Sequence, residues 1–239
     1  MHYLCTMEKR NFLSSIPPVT RHLLCVNIIV WLISSALYRF GGFDVVNYLG
    51  LHYCEASRFN LVQFVTYMFL HDTSGFFHIF FNMLTLYCFG PILEYLLGRK
   101  RFLTYYLVCG IGAALIQQAV WAWGDGLHDI FVRYIDTDFP YARAVEHLNQ
   151  YVTVGASGAI FGLLLAFAML LPNAKIILFV FPIPAKYAVP LLGLLELVFG
   201  VSGTLSSVAH FAHLGGVLFG LILILYWRQK GIINRGGYY

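Results

Sequence analysis

The chain has 239 residues, 59% of them apolar and 11% charged, with a formal net charge of +4. Soluble domains carry about 25% charged residues. With a mean hydropathy of +0.73, this composition excludes an ordinary soluble domain and reads as a polytopic membrane protein. No cluster of basic and aromatic residues points to nucleic acid. The five cysteines contain no C-x-x-C pair and suggest no disulfide framework.

Residues 1–21 are polar and carry Lys9, Arg10 and Arg21. The first apolar run is 23–38. Ser34, Ser35 and Ala36 offer small residues for signal cleavage, yet aromatic and basic residues follow at once and more spans come after, so the run reads as a retained span. Residues 41–76 form a long connection. Inside it, FNLVQFVTYMFL (59–70) is too short to cross and is predicted to lie in the interface or to re-enter the membrane. The second span is 77–97, closed by Gly98, Arg99, Lys100 and Arg101. The third is 102–123, ending on the interfacial pair Trp121 and Trp123.

Residues 124–151 are a polar, acidic connection. The fourth span is 154–171. Asn173–Pro184, bracketed by Lys175 and Lys186, is expected to lie along the surface. The fifth span is 187–202 and the sixth 207–227, with a polar tail from 229 to 239. The fold class is therefore an all-α bundle of six membrane-spanning helices over residues 22–228. With the N-terminus in the cytoplasm, 11 of the 15 Lys and Arg fall on the inner side, as the positive-inside bias demands. Both termini are expected to be cytoplasmic.

Polar side chains inside spans are costly and point to function. The second span carries His78 and Asn82, the fourth Ser157, and the sixth His210 and His213. Counted from the inner ends of their spans, Asn82, Ser157 and His213 all stand roughly 21–24 Å up a core about 30 Å thick. His78 lies one turn above Asn82 on the same face. Gly158 and Gly162 follow Ser157, and Gly216 and Gly220 follow His213. Two such small-residue faces let helices approach closely, which brings a Ser hydroxyl within reach of an imidazole base. Gly155 belongs to the same close-packed set. A serine at a helix start also sits beside unpaired backbone N–H groups that can hold an oxyanion. His78 and Asn82 can add side-chain donors to it. Glu94, a turn above Arg99, reads as half of a structural ion pair, and Glu196 stands alone in the fifth span. His210 and His213 have metal-ligand spacing, but no cysteine or carboxylate is evidently placed to complete a site, so no metal is expected.

The pattern resembles the rhomboid family of intramembrane serine proteases. The resemblance rests on HIFFN (78–82), EYLLGR (94–99), GASG (155–158) and AHLGG (212–216) followed by Gly220, in that order. It implies a six-helix core, a dyad of Ser157 and His213, and an oxyanion hole of His78, Asn82 and the Ser157 N–H. It also implies a half-inserted first loop at 59–70 and a mobile fifth helix that gates substrate access. Some family members carry Tyr where this chain has Phe161, so stacking on the imidazole survives and packing alone is expected to orient it. The expected function is cleavage of transmembrane substrates near their outer ends, without a cofactor. The multi-pass chain is expected in the lipid bilayer of a bacterial inner membrane. An inactive relative that binds membrane clients is the alternative. A transporter is a weaker rival, since only Glu196 is charged at depth in the fifth span.

Overall fold

The computed structural model describes residues 15–124, 127, 146–178, 180–202 and 209–233. Most of the acidic connection read over 124–151, the first 14 residues and the end of the tail lie outside the described residues. In chain order, α1 (Pro18–Gly41) is followed by α2 (Val46–Leu49), β1 (Leu51–His52) and α3 (Gln63–Thr66), which runs into a 3-10 turn at Tyr67–Phe69. Next come α4 (Phe77–Leu97) and α5 (Arg99–Ala119), the latter extended by a π-helical turn at Val120–Gly124. The second half holds β2 (Val152–Thr153), α6 (Ser157–Leu170), the hairpin β3 (Lys175–Leu178) and β4 (Phe181–Pro184), α7 (Ala185–Ser202) and α8 (His210–Gln229).

Among the described residues, α1, α4, α5, α7 and α8 are long and apolar enough to cross a bilayer. Their outward side chains are apolar, Ile29, Leu32 and Ile33 on α1 and Leu194 and Val198 on α7 being examples. Such a surface is suited to lipid. The protein is a multi-pass membrane protein of mostly helical architecture.

The sixth member, α6, differs from the span read over 154–171. It has only 14 residues and covers about 21 Å at 1.5 Å per residue, less than the roughly 30 Å of a hydrocarbon core. The chain reaches its start in extended form. β2 pairs antiparallel with β1, Leu51 opposite Thr153 and His52 opposite Val152. Gly155 then turns with φ +131°, a left-handed conformation that favours glycine. Its N–H donates to the Tyr67 carbonyl at 2.9 Å, so the apolar segment at 59–70 directly supports the start of α6.

That segment is anchored by the buried amide of Gln63. Gln63 donates to the carbonyls of Tyr48 (3.0 Å) and Arg58 (2.8 Å) and accepts from the His52 N–H. Gln118, from α5, donates to the His52 carbonyl at 2.7 Å and accepts from the Cys54 N–H. Burial, partly offset by a hydrogen bond to the Asn47 carbonyl, holds the His52 imidazole below its ordinary pKa. The surface piece at 173–184 is a β-hairpin with Ile177, Val180 and Phe181 exposed.

α6 forms the centre of the bundle, packed against α5 and α8. Glycines set the spacing. A Cβ on Gly216 would collide with the Gly158 carbonyl, and one on Gly162 would meet Cys109 and stand 3.0 Å from the Gly216 carbonyl. Gly220 faces Tyr105, whose hydroxyl donates to the Gly162 carbonyl at 2.9 Å.

Glu94 does not serve Arg99, as its spacing suggested. Its buried carboxylate accepts from the backbone N–H of Val19 (3.0 Å) and Thr20 (2.7 Å) and from Thr20 Oγ1 (2.9 Å). The first turn of α1 has no side-chain cap of its own, so α4 supplies one from a distance. Hydrogen bonds to charged groups contribute about 1.5–3 kcal/mol, and stranding buried donors costs a similar amount. Glu94→Ala is therefore expected to destabilise the fold by about 2–4 kcal/mol, read as a lowered thermal midpoint in detergent. Arg99→Ala is expected to leave the midpoint unchanged, the reverse of what a Glu94–Arg99 ion pair requires.

Candidate active site

Ser157 is the first helical residue of α6. The Ile160 N–H is taken by the Ala156 carbonyl at 3.0 Å, while the N–H groups of Ser157, Gly158 and Ala159 fall before the first intrahelical bond. The helix thus starts inside the protein with its positive end beside the hydroxyl. His213 occupies the first turn of α8. The close glycine contact between the two helices brings Ser157 Oγ to 2.8 Å from His213 Nε2. Phe161, one turn along α6, lies parallel to the imidazole with ring centroids 4.4 Å apart and planes within 6°.

Packing is not all that holds this ring, contrary to the sequence reading. Glu196 of α7 places Oε2 at 2.9 Å from His213 Nδ1 and at 2.6 Å from His210 Nδ1. The carboxylate that seemed to be missing near the two histidines is thus present, and the three donor atoms lie within 4.8 Å of one another. Two ligands of a tetrahedral zinc stand about 3.3 Å apart, since each bond is 2.0–2.2 Å. The separations of 2.6 and 2.9 Å are shorter and match direct hydrogen bonds. With an ionised carboxylate, which only accepts, both rings donate through Nδ1–H. His213 Nε2 then keeps its lone pair for the Ser157 hydroxyl.

His78 and Asn82 line the same cavity, about 710 Å³ in volume, together with Asp72, Ser157, Phe161 and His213. The Asp72 N–H donates to His78 Nδ1 at 3.5 Å, leaving Nε2 as the protonated nitrogen. Nε2 stands 2.9 Å from where a Cβ on Gly155 would lie, so the residue before Ala156 and Ser157 has to be glycine for space as well as for φ. Asn82 Nδ2 donates to the His78 carbonyl at 2.8 Å, which uses one of its two N–H bonds. His71, outside the spanning helices, packs edge-on against His78 at 5.2 Å. Burial, and then the neighbouring His78, push its pKa down to about 3, so it stacks as a neutral ring.

All the predicted site residues therefore meet at one place. Ser157, His213, His78 and Asn82 line the cavity, and Gly158, Gly162, Gly216 and Gly220 form the contact beneath it. Gly155 acts at the turn into α6 and not in the helix interface. Glu196 was visible as a lone acid in an apolar run but carried no signal of its partner.

A family model described as a rhomboid domain matches residues 58–230. The chain belongs to the rhomboid family. One similar relative is YdcA of Bacillus subtilis, by its name a candidate rhomboid protease, 28% identical over 221 residues that cover 89% of this chain and 90% of that one. The mitochondrial Rhomboid protein 1 of Saccharomyces cerevisiae is 32% identical over 150 residues, 62% of this chain and 37% of the yeast protein. RHOMBOID-like protein 1 of Arabidopsis thaliana is 30% identical over 211 residues, 84% of this chain and 42% of its own length. The chain thus spans less than half of these two eukaryotic rhomboids and nearly all of the bacterial one.

The rhomboid site depends on backbone contact, which glycine substitutions test. Gly193 of α7 has open space around it, whereas Gly216 abuts the Gly158 carbonyl. Gly216→Ala is expected to cost about 1–3 kcal/mol by overpacking. Gly193→Ala is expected to be neutral or to stabilise by up to about 1 kcal/mol through helix propensity. Thermal unfolding of the two variants in detergent measures the difference.

Proposed function

We propose that this chain is an intramembrane serine endopeptidase that cleaves transmembrane proteins near the outer ends of their spans. The observation that carries the reading is the 2.8 Å contact between Ser157 Oγ and His213 Nε2 at the floor of an open cavity. His213 Nε2 takes the hydroxyl proton as Oγ attacks the scissile carbonyl. The negative oxygen that forms is held by the Ser157 N–H with the His78 and Asn82 side chains. His213 then gives the proton to the leaving amine, and the acyl-enzyme is released by water through the same steps in reverse. The chemistry balances with water alone and calls for no cofactor.

The short α6 gives the reading its topology. Because the helix begins at Ser157, the serine stands below one membrane surface, under the extended segment that precedes it. With both termini cytoplasmic, that surface is the outer one. The Bacillus relative, aligned along about nine-tenths of both chains, supports placement in a bacterial inner membrane. A substrate helix hides its carbonyls in i→i−4 bonds, so it must unwind before attack. Helix breakers just beyond the cut, and a small residue before it, suit a cavity walled by close-packed helices.

The test is cleavage of a model transmembrane substrate by purified protein in detergent. Ser157→Ala and His213→Ala are each expected to abolish product while the protein stays folded, and the double variant is expected to be no worse than either single one. His78→Ala and Asn82→Ala are expected to lower kcat by about 10²-fold each. Cleavage by the Ser157→Ala variant at the parental rate would remove the proposal.

A further inference from the structure

We infer that Glu196 is a positioning residue that fixes the tautomer and the orientation of the His213 imidazole, so that the site works as a serine–histidine–glutamate chain and not as a dyad. The inference rests on the assignment of His213 as general base made above. Its observation is separate. One carboxylate oxygen, Glu196 Oε2, lies 2.9 Å from His213 Nδ1, on the side of the ring opposite the 2.8 Å contact to Ser157.

A neutral imidazole has two tautomers, and only the Nδ1–H form can accept the serine proton at Nε2. An acceptor at Nδ1 selects that form, and a carboxylate also stabilises the imidazolium that proton transfer creates. Phe161 cannot do either. Its ring holds the plane of His213, stacked at 4.4 Å, but offers no acceptor to choose between the two nitrogens. Stacking fixes the tilt, and Glu196 fixes the rotation and the proton.

The carboxylate is itself held in aim. His210, one turn before His213 on α8, donates to the same oxygen at 2.6 Å. Gly200 lets α7 lie against His210 and Phe211 without a side chain between them. His210 thus supports Glu196, which supports His213.

The helix that brings this group is the least embedded of the five long ones. The buried residues of α7 are Ala185, Ala188 and Val189, all near its start. Leu194, Leu197, Val198 and Val201 around and beyond Glu196 are exposed. The two hydrogen bonds that Glu196 accepts tie the second half of α7 to α8. Moving that half outward removes the Nδ1 acceptor, so the state of the base is coupled to the seat of α7.

The experiment combines nitrogen-15 NMR of histidine-labelled protein, assigned against His213→Ala, with cleavage kinetics of the reconstituted full chain. Glu196→Leu removes the acceptor, and Glu196→Gln keeps the shape without the charge. In the parent at neutral pH, His213 is expected to be protonated at Nδ1 and bare at Nε2. In Glu196→Leu that preference is expected to be lost, and in Glu196→Gln, whose amide can turn either an acceptor or a donor to Nδ1, to be weakened. At the same time kcat is expected to fall by about 10–10³-fold, less than the roughly 10⁴-fold loss in a triad whose acid is neutralised, because Phe161 still holds the ring. KM is expected to stay within about threefold, as for an interaction that acts on the reacting group and not on binding. A parental His213 spectrum, or parental kcat, in both variants overturns the inference. If the parent cleaves nothing, the protease reading fails, and the NMR comparison still decides whether Glu196 sets the His213 tautomer.

Discussion

Everything at this site depends on two helix backbones in contact. Gly216 of α8 and Gly158 of α6 touch with no room for a Cβ between them. A separation set by ordinary side chains, 8–10 Å between axes, leaves a serine on one helix and a histidine on the other too far apart for a direct hydrogen bond. In lipid, where no hydrophobic effect presses helices together, small residues give van der Waals packing its reach. Cys109 and Tyr105 of α5 close over Gly162 and Gly220, one turn further along the same two helices, so α5, α6 and α8 pack as one wedge. The Ser157–His213 contact is a consequence of that wedge.

The second constraint is that α6 is short and starts inside the protein. Non-helical backbone in the interior of a membrane protein survives only where protein or a water-lined cavity satisfies it. Here the satisfaction is explicit. The β1–β2 pair takes up backbone groups at 152–153, and Tyr67 takes the Gly155 N–H. The arrangement leaves the first N–H groups of α6 directed at the cavity, beside the serine. Local disorder of the helical pattern and chemical competence therefore have the same origin. The segment at 59–70 is needed because it carries Tyr67, and Gln63 is needed because it holds that segment.

Much of this was legible in the sequence. Apolar runs point to the long helices: the run 77–97 coincides with α4, whereas α1 starts at Pro18, ahead of the run at 23–38. Shared depth and paired glycines placed Ser157, His213, His78 and Asn82 together, because helical rise converts residue count into height. What depth cannot give is rotation about a helix axis. Glu196 stood in an apolar run with no periodic partner to show which way it faced, so its contact with His210 and His213 stayed hidden. Glu94 is deceptive for a related reason. Spacing along one helix suggested Arg99, but its true partners, Val19 and Thr20, are about 75 residues away in sequence. A serine at a helix start is expected from the sequence, but the shortness of α6 is hidden, since an apolar stretch from 154 looks the same whether its first residues are helical or extended.

The central claim is that His213 activates Ser157 within this cavity. The most direct measurement is reaction of the folded protein with a small fluorophosphonate, followed by mass spectrometry of its peptides. The account predicts one covalent adduct, on Ser157, formed by the parent and lost in His213→Ala. A parent that cleaves substrate but leaves Ser157 unmodified, or an adduct on Ser157 that forms as fast without His213, would contradict it.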